Sequence, residues 1–69
     1  MENEEKQNLT IREKEVLEYA KNGLSNEEIA NIIFVSKHTT KAHMSSIIKK
    51  LDAKNRTHAV HIATKIGII

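Results

Sequence analysis

Lys41, Ala42 and Ser45 stand at helical spacing with His38 and Lys49. Together they form a stripe with a single small apolar side chain and otherwise only donors, acceptors and positive charge. A Lys can donate to guanine N7 and O6 or to a phosphate, and a Ser can donate or accept. Ala42 and Ser45 are small enough to bring a helix close to base edges. The Thr39 hydroxyl, and the amides of a helix beginning behind Ser36, suit a phosphate oxygen. Lys37, Lys49 and Lys50 can neutralise backbone phosphates, which would make binding salt-dependent. For any single lysine the plain reading is a solvated charge. The stripe as a whole favours contact with DNA.

Other chemistry finds little support. His38, His43, His58 and His61 all lie in the second half of the chain. His58 and His61 are three residues apart, but they lack a Cys or a third ligand, so no metal site is expected. His43 can hydrogen-bond to a phosphate or to backbone, or simply pack its ring. There is no Gly-rich phosphate loop and no Cys nucleophile. The glutamates read as decoration of helix surfaces and caps. Neither an enzyme, nor a cofactor, nor a small-molecule ligand is expected.

The stripe needs elements that hold it. Thr10-Ile-Arg-Glu13 is a capping box that opens a first helix, with Leu9 just before it. Val16, Leu17, Ala20 and Leu24 recur along it, and Gly23 supplies the left-handed residue that ends it. Ser25-Asn-Glu-Glu28 is a second capping box, and Ile29, Ala30, Ile32 and Ile33 give that helix an apolar side ending near residue 33 or 34. Ser36 caps a third helix over about residues 37–51. At about 100° per residue, Thr40, Met44, Ile47 and Leu51 share its inner stripe, opposite His38, Lys41, Ala42, Ser45 and Lys49. The short Phe34-Val35-Ser36 junction forces a steep crossing, with Val35 as a plug between the two helices. The junction has no Gly, which predicts a turn geometry suited to L-residues. Asn55 caps a fourth helix that runs to about Ile66, with Gly67 as its stop. Ala59, Val60, Ala63 and Ile66 form its core side. His58, His61, Ile62 and Lys65 form another side, less polar than a free surface should be.

Composition agrees. The 69 residues suffice for one small domain, and with no Cys and no Pro they favour helices packed on helices. The expected fold is all-α, a four-helix helix-turn-helix domain over residues 9–69 behind a disordered tail over residues 1–8. No apolar run approaches the ~20 residues that cross a bilayer, so a cytoplasmic protein without a membrane partner is expected. Residues 1–30 hold eight acids against four bases, and residues 31–69 one acid against seven bases. A basic half beside an acidic half points to a polyanion partner for one surface.

These residues resemble the C-terminal DNA-binding domain of LuxR/FixJ-type bacterial regulators, the GerE-like domain. The resemblance runs without a gap through Leu9-Thr10-x-Arg12-Glu13-x-Glu15-Val16-Leu17 and Ala20-x-x-Gly23-x-Ser25-Asn26-x-Glu28-Ile29-Ala30. It continues through Val35-Ser36-x-x-Thr39-x-Lys41-x-His43-Met44 and Ile47-x-x-Lys50-Leu51-x-Ala53-x-Asn55-Arg56-Thr57-x-Ala59-Val60. It implies that the third helix enters the major groove and that homodimers form through the fourth helix on a two-fold symmetric site of double-stranded DNA. Lys41, Ala42 and Ser45 match the base-reading positions of the family. Thr39 and the start of the second helix, Ser25 and Asn26, match its phosphate-contacting positions. His58, His61, Ile62 and Lys65, with Ile69 beyond them, fall on or near its dimer surface. Activation of transcription would further require a surface for RNA polymerase.

Two residues depart from the pattern. Thr40 stands where Val is usual, and its hydroxyl needs a partner such as a carbonyl one turn back. Glu27 stands where Lys or Arg is common, though an acid suits the helix dipole there. With its own Met1 and this length, the chain resembles the stand-alone type; an excised domain is the alternative. The competing function is a protein-interaction module that pairs with larger relatives through the fourth helix and inhibits them.

Overall fold

The computed structural model describes residues 8–69. The tail expected over residues 1–8 lies, apart from Asn8, outside the described residues. Four helices follow one another: α1 (Ile11–Lys21), α2 (Asn26–Ile33), α3 (Lys37–Lys50) and α4 (Arg56–Lys65), with no strand among the described residues.

Each helix begins at a side-chain cap. The Thr10 hydroxyl accepts the Glu13 amide at 3.0 Å, and the Glu13 carboxylate accepts the Thr10 amide at 2.9 Å. Ser25 and Glu28 repeat this box at 3.2 and 2.8 Å. Ser36 and Asn55 accept the amides of Thr39 and His58. These bonds satisfy donors that a helix start otherwise leaves bare.

Each helix also ends through a left-handed residue. Gly23 and Gly67 take this conformation after α1 and α4, as expected. After α2 and α3 the same part is played by Phe34 (φ 60°) and Asp52 (φ 55°). Behind each, the next amide reaches back five residues: Leu24 to the Tyr19 carbonyl, Val35 to Ala30, Ala53 to Ile48, and Ile68 to Ala63. The bonds close the exposed carbonyls of the last turn. The Phe34-Val35-Ser36 corner therefore does not use a geometry suited to L-residues. It keeps the left-handed step and places a bulky aromatic there, which is sterically costly.

The core joins all four helices. Leu9, Val16, Leu17, Ile29, Ile33, Met44, Ile47, Leu51, Ala59 and Ala63 are buried together, and Val35 packs against them as a plug. α2 packs across α3, α1 supports both, and α4 packs on α1 and α3. Two expected core positions face outward. Ile32 is exposed because Ile29, Ala30 and Ile33 already define the inner face of α2. Ile66 is 42% exposed because it follows the last helical residue and lies in the capping turn.

Candidate nucleic-acid interface

Two stripes of α3 separate cleanly. Thr40, Met44 and Ile47 are buried, while His38, Lys41, Ala42, Ser45 and Lys49 are exposed. Thr40 is fully buried, and its hydroxyl donates to the Ser36 carbonyl one turn back at 3.4 Å, the partner its position called for. The outer stripe is held by the packing of the inner one. A rigid helix can thus present small and basic side chains without spending them on the fold.

The start of α3 is arranged to donate. The Ser36 hydroxyl accepts the Thr39 amide and donates to Thr39 Oγ1 at 2.9 Å. That leaves the Thr39 hydroxyl hydrogen for another acceptor. The amides of Lys37 and His38, the first two of the helix, have no intrahelical acceptor. Lys37 is exposed, and Thr39 and His43 are half-buried at the edge between the stripes.

At the start of α2, Ser25 is exposed and its hydroxyl accepts only the Glu28 amide, so its hydrogen is also uncommitted. Asn26 is engaged. Its Oδ1 accepts from Arg56 Nη1 at 2.6 Å, while Arg56 Nη2 donates to the Leu24 carbonyl. The amide hydrogens of Asn26 remain as donors. Arg56 escaped the sequence reading because its partners lie 30 and 32 residues away.

Lys50 differs from the other lysines of α3. Its ammonium donates to Glu13 Oε1 at 2.8 Å, and Ser46 donates to Glu13 Oε2 at 2.9 Å. Glu13 is only 4% exposed, so it is a buried anchor and not mere surface decoration. Burial pushes its carboxyl upward in pKa. The bonds from Lys50, the Thr10 amide and Ser46, together with the Lys50 charge, outweigh burial and hold it below the usual value. The basic groups of the second half are thus divided: Lys50 fastens α3 to α1, and Lys37, Lys41 and Lys49 are exposed.

On α4, His61 and Lys65 are exposed and His58 and Ile62 are half-buried; Ile69, beyond the helix, is also half-buried. His58 Nδ1 accepts the Lys54 amide at 2.9 Å, which occupies that ring nitrogen.

The family model described as bacterial regulatory proteins, luxR family, matches residues 7–63. The chain belongs to the LuxR family. Relatives it resembles include the uncharacterized transcriptional regulatory protein YhcZ of Bacillus subtilis, 43% identical over 97% of this chain and 31% of that protein. The CsgBAC operon transcriptional regulatory protein of Escherichia coli is 50% identical over 75% of this chain and 24% of its own length. The HTH-type quorum-sensing regulator RhlR of Pseudomonas aeruginosa is 41% identical over 88% of this chain and 25% of its own length. The chain therefore spans about a quarter to a third of the length of these relatives. Among its described residues no helix is long and apolar enough to cross a membrane.

Proposed function

We propose that this chain is the sequence-specific DNA-binding module of a bacterial transcription regulator, with α3 in the major groove of a two-fold symmetric site. The observation that carries the reading is the division of α3. Its inner stripe is buried, and its outer stripe of Lys41, Ala42, Ser45 and Lys49 is exposed behind a donating Ser36–Thr39 start. Lys41 and Ser45 read base edges, and Ala42 lets the helix approach them. Ser25, Asn26, Thr39, Lys37, His38 and Lys49 meet phosphates, and His43 sits at the margin of that contact.

The module works as a homodimer through α4. Ile62 and Ile66 lie one turn apart, with Ile69 beyond, and Ile66 is uncovered. An apolar cluster flanked by His61 and Lys65 suits a second copy of the same surface. The working place is the cytoplasm, and RNA polymerase is the partner for activation.

The test is selection from random duplexes at ~150 mM salt, where non-specific phosphate binding is weakened. Enrichment of a two-fold symmetric site is expected. A folded, helical protein that enriches no sequence would overturn the reading and point to a protein-interaction module.

A further inference from the structure

We propose that Arg56 is a positioning residue that sets the half-site spacing the dimer accepts. The inference rests on the dimer reading above. Arg56 is the first residue of α4, and its guanidinium grips Asn26 and Leu24, the neighbours of the α2 cap Ser25 on either side. Among the described residues these are the hydrogen bonds that join α4 to the start of α2.

Geometry gives this contact its importance. In a two-fold dimer, the distance between the two recognition helices depends on how α4 is turned relative to the α2–α3 pair. The fully buried residues of α4 are Ala59 and Ala63, and Val60 and Ile62 are half-buried against the core beside them. At the two fully buried positions small side chains allow close approach but interlock little, so the seating of α4 by packing rests on the half-buried Val60 and Ile62. A guanidinium with two donors in a rigid plane fixes direction as well as distance. Arg56 thus locks the dimer helix to the reading pair, at the same end of α2 that meets phosphate. Half-sites of such dimers lie about one helical turn apart, and a helix free to turn would accept neighbouring spacings.

The experiment measures binding of the full chain to a single half-site and to paired half-sites whose spacing is varied one base pair at a time. Wild type, Arg56→Lys and Arg56→Gln are compared, each checked by circular dichroism to be helical at the assay temperature. Wild type is expected to show a sharp spacing optimum. Arg56→Lys keeps the charge but loses the fork, and its preference for the optimum is expected to fall roughly tenfold. Its half-site affinity and salt slope should stay unchanged. If Arg56 touched phosphate directly, Arg56→Lys would keep the optimum, while Arg56→Gln would lower the half-site salt slope by about 1. That pattern overturns the proposal. Should Arg56→Gln fail to fold, the Lys variant alone decides, since an unaltered optimum in it is equally fatal. A wild type with no spacing optimum removes the dimer reading itself, and this inference with it.

Discussion

The Lys50 ammonium lies 2.8 Å from the Glu13 carboxylate and ties the last turn of α3 to the first turn of α1. The same carboxylate holds the Thr10 amide and the Ser46 hydroxyl. One side chain therefore closes a helix cap and docks the proposed recognition helix on its support.

Lys50→Ala should lower stability by about 2 kcal/mol, since it removes a charged hydrogen bond from a buried acceptor. The pH dependence has a definite sign. The folded pKa of Glu13 is lowered, so its contribution is present above the unfolded carboxylate value of about 4.3. It is lost as pH falls through the lower folded value. In Lys50→Ala, burial gains weight and the slope of stability against pH should shrink in this region. Urea unfolding between about pH 3 and 6 measures both, and an unchanged slope counts against the anchor.

Phe34→Gly should raise stability by roughly 0.5–1 kcal/mol. The ring is 93% exposed, so little burial is lost, and a left-handed step costs Gly less than Phe. Phe34→Ala keeps most of the strain and should change stability little. Thermal melts of the pair decide, and equal melting temperatures for Gly and Ala variants would contradict a strained corner.

Thr40→Val should stabilise by roughly 1 kcal/mol. The hydroxyl bond is long, and the Ser36 carbonyl retains the Thr40 amide at 3.1 Å. No buried group is orphaned, and a methyl is gained in the core. Loss of stability on chemical denaturation would mean that the hydroxyl matters more than its geometry suggests.

Lys41→Ala should weaken binding to the selected site by ~1–3 kcal/mol and relax preference at one base position. Lys49→Ala should weaken all sequences alike and lower the salt slope by about 1. Titrations at several salt concentrations separate the two, and identical behaviour of both variants would place Lys41 on phosphate.

Ile62→Glu should reduce dimerisation while leaving the helical spectrum intact, because Ile62 is half-buried beside exposed Ile66. Analytical ultracentrifugation reads the outcome. Dimers as strong as those of wild type would move the contact away from α4.

Much of this molecule was legible because it is locally written. Both capping boxes, the Ser36 and Asn55 caps and the Gly23 and Gly67 stops involve residues within one turn of each other. The two stripes of α3 follow from a single period, so Thr40 and Lys41 fall on opposite sides as expected. What escaped was distant or conformational. Glu13 reads as a cap, but its partners Ser46 and Lys50 lie 33 and 37 residues on. The absence of Gly from the α2–α3 corner suggested an ordinary turn, yet the chain reversal demanded a left-handed residue and Phe34 supplies it. Ile66 kept the helical period but outlived the helix.

Because every helix carries its own start and stop, the boundaries of all four are specified by local contacts. Such a chain has few distant encounters to wait for, and low contact order goes with folding in microseconds to milliseconds. Refolding after dilution from urea should therefore outrun manual mixing.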